Sequence, residues 1–212
     1  MKLIVVGATG GTGQHLVKQA LAQGHVVTAF VRNPAKFGVN HPGLRIVQGD
    51  VMDAASIEQA VSGHDAVLAA LGAPASDAYK VRSEGTRNII SAMEKTGVRR
   101  LVCQTSLGYG DSLQVLDRTP FYFRHIIVPF FLRRAFADHQ LQEDLIQRSC
   151  LDWIIVRPGN LTDGERTGRY RHGFSASDKT ITVNISRADV ADFMLSQLSD
   201  GAYLRKITGL SY

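Results

Sequence analysis

The run Gly7-Ala8-Thr9-Gly10-Gly11-Thr12-Gly13 constrains this chain most, because of what flanks it. Lys2-Leu3-Ile4-Val5-Val6 has strand composition. Gln14 to Gln23 reads as a helix with Leu16, Ala20 and Leu21 on its inner face. Val26 to Val31 reads as a second strand, ending at Arg32. Strand, glycine turn, helix and strand form a βαβ unit, the context in which such a motif reads as a dinucleotide-binding turn. Gly7 allows the tight turn, Gly10 lets backbone approach a pyrophosphate, and Gly13 lets the helix pack closely on the strand. The free N–H groups and positive dipole end of the helix then face the phosphates. Thr9, Gly11 and Thr12 complete this part of the candidate site.

Arg32 bears on the choice of dinucleotide. NAD-binding chains usually carry an Asp or Glu at the end of the second strand, to bond the ribose 2′-hydroxyl. Here Arg32-Asn33 stands in that place, and no acid follows until Asp50. A guanidinium suits a 2′-phosphate that a carboxylate would repel. The pattern therefore predicts NADP(H) in preference to NAD(H), with Thr9, Thr12 and Lys36 as helpers.

The remainder continues the alternation. Predicted strands cover Leu44–Gln48, Ala66–Leu71, Arg100–Gln104, Trp153–Val156 and Arg205–Thr208. Predicted helices cover Asp53–Val61, Val81–Thr96 and Ser186–Leu198, the last with Ser186 as N-cap and Asp189 at the third helical position. Gly72-Ala73-Pro74 should break the fourth strand. This pattern predicts an α/β fold: a doubly wound parallel sheet (Rossmann fold) in a single domain over residues 1–212. A length of 212 residues suits one well-buried domain.

In such sheets the ligand lies beyond the C-terminal strand ends, at the switch point. Asp50 and Val51 should flank the adenine, and Leu71 and Gly72 should lie under the pyrophosphate and ribose. Thr105, Ser106 and the loop Pro158-Gly159-Asn160 should approach the nicotinamide. Ser106, Tyr109 and His139 are the candidate proton donors. Ser106 sits at a strand mouth and Tyr109 in a glycine-rich loop; Tyr109 reads as readily as a partly buried loop aromatic, and His139 reads more readily as a solvated helix histidine.

The net charge of +5 suits a polyphosphate ligand, but the basic residues are spread along the chain, so no nucleic acid is expected. Cys103 and Cys150 have no metal spacing, and no metal is expected. The absence of a signal-peptide pattern and of any apolar run of membrane-spanning length predicts a cytoplasmic protein.

Five segments in matching order and spacing carry a family resemblance. They are the Gly7–Gly13 turn, Gly49-Asp50-Val51, Ser83-Glu84-Gly85-Thr86-Arg87-Asn88-Ile89, Thr105-Ser106 and Arg157-Pro158-Gly159. The chain resembles atypical short-chain dehydrogenases/reductases of the NAD(P)H-binding, NmrA-like group, and within it is most similar to the biliverdin-IXβ reductase/flavin reductase family. The resemblance implies NADPH binding and reduction of flavins or tetrapyrroles. Most of the larger superfamily uses a Tyr-x-x-x-Lys pair, in which the Tyr is the proton donor and the Lys lowers its pKa. Those positions fall here on Ala135 and His139, so alcohol–ketone chemistry lacks its acid/base. The flavin/biliverdin reductases work without that pair. Their biliverdin-type members carry a His where this chain has Asn160, which weakens the case for a tetrapyrrole.

Residues 121–136 stand apart in composition, with five of the nine phenylalanines and Arg124, His125, Arg133 and Arg134. They form the centre of a 112–137 aromatic and basic insertion expected near the active-site side. Thr119 and Pro120 read as a helix start, and Pro129 as the end of that helix and the opening of the next. The segment reads as a lid or pocket wall, a protein interface, a surface lying on an anionic membrane, or ordinary core. Two functions follow as expectations. One is an NADPH-dependent reductase of flavin or another planar acceptor, monomeric or homodimeric. The other is a non-catalytic NADP(H)-sensing regulator.

Overall fold

The computed structural model describes residues 1–72 and 80–212. In chain order the elements are β1 (Lys2–Val6), α1 (Gly11–Ala22), β2 (Val26–Val31), β3 (Leu44–Gln48), α2 (Ala54–Val61), β4 (Ala66–Ala69), α3 (Val81–Thr96) and β5 (Arg100–Gln104). After them come α4 (Arg133–Arg148), β6 (Asp152–Pro158), β7 (Asn160–Thr162), β8 (Arg171–His172), β9 (Asn184–Ser186), α5 (Arg187–Ser196) and β10 (Lys206–Ser211). Eight strands form one sheet in the order β3-β2-β1-β4-β5-β6-β10-β8. All pairs are parallel except β10 with β8. This is the doubly wound, single-domain α/β fold that the alternation predicts.

The layers follow from strand periodicity. In β1, Leu3 and Val5 pack with Leu16 and Val17 of α1 and with Val190 and Met194 of α5. Ile4 and Val6 face the other way, towards Ile57 of α2, Ile89 and Met93 of α3, and Ile146 of α4. A strand covered on both faces is apolar throughout, and each such buried aliphatic side chain contributes roughly 1.5–3 kcal/mol.

Several boundaries differ from the sequence reading. The helix α1 begins at Gly11, so the last three residues of the glycine turn, Gly11 to Gly13, are already helical. Strands β6 and β10 run longer because each is completed by its neighbour, with Thr208 opposite Val156 and Leu210 opposite Pro158. β4 stops at Ala69. Of its predicted breaker, Ala73 and Pro74 lie outside the described residues. Strands β7, β8 and β9 are two or three residues long, too short for a periodic signal. β7 and β9 pair as a second, two-stranded sheet.

The largest correction concerns Pro129. It neither ends one helix nor opens another: helical backbone runs unbroken from Phe121 to Arg148. Phe123–Leu132 forms a wide-turn π-helix with Pro129 inside it. An i→i+5 helix accommodates a residue that lacks an N–H and whose ring crowds the preceding turn. Thr119 does not cap this helix either, because its hydroxyl donates back to the Leu116 carbonyl at 2.7 Å.

The Ser83–Ile89 segment has a structural explanation. The first turn of α3 is capped by another helix: the Asp138 carboxylate of α4 accepts from the Arg82 and Ser83 N–H groups at 3.1 and 3.0 Å. A Cβ on Gly85 would meet Val51 Cγ1 at 3.0 Å and Leu71 Cδ1 at 3.1 Å, so the missing side chain lets α3 pack tightly on both. Asn88 donates to the Val51 carbonyl at 2.9 Å and so holds the turn after β3.

Candidate functional site

Two cavities open at the C-terminal ends of the strands. The first, about 410 Å³, is lined by Gly7, Thr9, Gly10, Gly11 and Thr12 from the turn, by Arg32 after β2, by Asp50 and Val51 after β3, and by Leu71 and Gly72 after β4. All of these were expected there from sequence. Gly13 is not a lining residue. A Cβ on it would fall 2.1 Å from the Gly7 carbonyl oxygen, so its role is the close approach of α1 to β1. Gly7 has φ +86, and a Cβ there would lie 2.3 Å from the Ala70 carbonyl. The Asp50 carboxylate accepts from the Met52 N–H at 3.0 Å and so shapes its own turn. Lys36 is exposed on the short turn Pro34–Lys36 and lines neither cavity.

The second cavity, about 660 Å³, takes Thr105 and Ser106 from the end of β5 and Pro158, Gly159 and Asn160 from the end of β6. Val115, Leu116, Tyr122, Phe123, Leu132, Ala135 and Phe136 form an apolar wall. Arg82, Arg118 and His139 add polar groups. A Cβ on Gly159 would fall 2.5 Å from the Val183 carbonyl, so only glycine lets β6 pass this close to the chain entering β9. Val183, also in the wall, holds φ +58, a left-handed conformation that is costly for a β-branched side chain.

Leu71, Gly72, Gln104, Leu161 and Arg187 border both cavities and join them into one cleft. Sequence reasoning missed Gln104, Leu161 and Arg187. The Gln104 Oε1 atom is buried with no hydrogen-bond partner among the described residues. Arg187, the first residue of α5, lies over the glycine turn. Its Cδ stands 2.4 Å from where a Gly11 Cβ would be, and its guanidinium donates to Asp163 at 2.6 Å. Only the packing of α5 on α1 brings it there.

The candidate proton donors fare differently. Ser106 lines the second cavity, with its hydroxyl donating to the Leu107 carbonyl at 3.0 Å. Tyr109 does not face the cavity. It is buried, and its hydroxyl donates to Glu143 Oε1 at 2.6 Å. Burial and the neighbouring Glu143 carboxylate push its pKa well above the usual phenol range, so this proton is held rather than offered. Glu143, fully buried, also accepts from Thr105 at 2.7 Å and takes Arg157 in a two-point pair at 2.9 and 2.5 Å. The Arg157 guanidinium lies 5.2 Å from the Tyr109 ring centroid and also reaches Asp111. This network anchors the second cavity from beneath.

His139 is buried, not a solvated helix residue. It stacks on Tyr109 at 5.8 Å, and Nδ1 meets Gln142 Oε1 at 3.0 Å. Burial, then the Arg82 charge, lower its pKa to about 4, so the ring is neutral at pH 7.

A family model described as NAD(P)H-binding matches residues 7–201 of this chain. An uncharacterised chloroplastic protein of Arabidopsis thaliana, At2g34460, is 32% identical over 206 residues, covering 93% of this chain and 71% of that protein. ChuY of Escherichia coli O157:H7, an anaerobilin reductase, is 26% identical, with a TM-score of 0.81 over 99% of this chain and 96% of its own. The oxidoreductase ylbE of Lactococcus lactis, 22% identical, shares the fold with a TM-score of 0.83 over 99% of this chain and 90% of its own.

Proposed function

The chain belongs to the NAD(P)H-binding family, and from that premise we propose that it is an NADPH-dependent reductase of flavin or another planar conjugated acceptor. The observation that carries this reading is the single cleft, glycine-lined at one end and aromatic-walled at the other. The dinucleotide fits this chain. Glycines leave open the ground a Cβ would fill, α1 presents its N-terminus there with no acid in its first turn, and Gln104 Oε1 is left without a partner. Bound there, the reduced nicotinamide would supply a hydride to the acceptor.

The chain's own residues bind, orient and exclude water. The Gly7–Gly13 turn and Arg187 hold the pyrophosphate, and Arg32 takes the 2′-phosphate. Asp50 and Val51 flank the adenine. Gln104 and Ser106, with the Pro158–Asn160 loop, orient the nicotinamide end. Within the 112–137 insertion, Val115, Leu116, Phe123, Leu132 and Phe136 wall the acceptor side. Of the three candidate donors, Tyr109 is bound to Glu143, His139 is neutral, and the Ser106 hydroxyl donates to the Leu107 carbonyl, so none is poised to give the accompanying proton. Solvent or the acceptor provides it, which suits acceptors whose reduced form is itself a weak acid. The free thiols Cys103 and Cys150 fit a reducing compartment, in keeping with a cytoplasmic location.

Mixing the protein with NADPH and FMN and following the absorbance of the reduced nicotinamide tests this. Oxidation of NADPH is expected, and slower oxidation of NADH at low concentration. The missing Tyr–Lys pair favours a second reading, an NADP(H)-binding regulator without turnover. Tight NADPH binding with no oxidation by a panel of planar acceptors would establish that reading instead.

A further inference from the structure

We propose that the outer face of the Phe121–Arg134 helix docks on an anionic phospholipid surface. The π-helix Phe123–Leu132 has no buried residue. Phe121, Ile126, Phe130 and Phe131, none of which lines the acceptor cavity, are 76, 50, 78 and 60% exposed. Their spacing follows the wide turn of an i→i+5 helix, so they share one outward face, an arc of roughly 100°. The opposite face is spoken for, since Phe123 and Leu132 border the acceptor cavity.

Charge decides what covers the outer face. Between Asp117 and Asp138 the chain holds no acid, while Arg118, Arg124, Arg133 and Arg134 are all basic. Arg124 pairs with Asp117; Arg133 and Arg134 are exposed, with no ion pair among the described residues. Exposed aromatic side chains beside arginines are the composition of a helix lying in the headgroup plane, and each arginine gains near an anionic leaflet. A second copy is a poorer occupant, because a two-fold interface sets the same patch against itself and brings like charges together. No helix among the described residues is long and apolar enough to cross a membrane, so the contact is peripheral.

Flotation with phosphatidylcholine vesicles, with and without about one-third phosphatidylglycerol, tests this. The protein should float with the anionic vesicles only, and high salt should release it. Arg133→Gln with Arg134→Gln should weaken partitioning about 30-fold, and Phe130→Ser with Phe131→Ser should abolish it, both with NADPH affinity unchanged. Phe130→Trp should show a blue-shifted emission on anionic vesicles. Failure to float, an unshifted emission from the Phe130→Trp variant, or arginine and phenylalanine variants that float like the parent would each overturn the proposal. Self-association lost in those same variants, without flotation of the parent, would assign the face to a second copy.

Discussion

At the scale of residues, charge placement gives the sharpest expectations. Arg32 borders the nucleotide end of the cleft with no acid at the end of β2. Arg32→Ala should weaken NADPH binding roughly 10- to 100-fold, the cost of a charge-assisted phosphate contact. Calorimetry should show NADH binding nearly unchanged, and equal loss of both would move the 2′-phosphate elsewhere. Glu143 is the acceptor for Thr105, Tyr109 and Arg157 at once. Glu143→Leu strands a buried guanidinium, a change that costs about 3–5 kcal/mol. The melting temperature should fall by about 10 °C; a fall of a degree or two would mean that Asp111 alone satisfies Arg157.

His139 sets a pH dependence whose sign follows from its lowered pKa. The unfolded chain takes up a proton near pH 6.5, but the folded ring resists until about pH 4. Between those values the unfolded state holds more protons, so stability falls as pH falls. Stability is therefore full above about pH 6.5, and up to about 3 kcal/mol is lost on the way to pH 4. Melting temperatures of His139→Gln should be flatter than the parent's across that window. The variant should also keep most of the acceptor-reducing rate, whereas a general acid would cost 100-fold or more.

At the scale of elements, caps and crossings matter more than propensity. The Ser83 and Arg82 amides depend on Asp138 of a different helix. Asp138→Ala should cost about 1 kcal/mol, the usual value of a helix cap, and amide exchange at Arg82 and Ser83 should quicken before exchange deeper in α3. Nothing local in Lys80-Val81-Arg82-Ser83 announces that cap, because its partner arrives through the packing of α4 on α3. Pro129 makes the same point in reverse. Its local rule is to break a helix, yet the chain widens its turns and continues.

At the scale of the whole molecule, two apolar layers share one central sheet, so unfolding should be a single transition. A ligand held across the strand ends bridges both halves of that sheet. Saturating NADPH at about 100 times its dissociation constant should add roughly 2.7 kcal/mol, or about 5–10 °C in melting temperature. A rise that splits the transition in two would mean that the halves unfold separately.

Period and punctuation are local, and on their own they determined the βαβ order, the doubly wound sheet and the strand ends at which Gly7, Arg32, Asp50, Leu71, Thr105 and Pro158 converge. A strand's side-chain period and a glycine's missing Cβ act over a few residues, and both are visible in a bare string of letters. Distances between remote residues are not. Tertiary packing alone laid Arg187 over Gly11, brought Val183 against Gly159, left the Gln104 Oε1 atom without a hydrogen-bond partner among the described residues, set Tyr109 on Glu143 and buried His139 against the Tyr109 ring. Each of those placements depends on which helix crosses which strand. The side chains were legible as types, but their chemistry was set by the burial and charge that only the folded chain assembled around them.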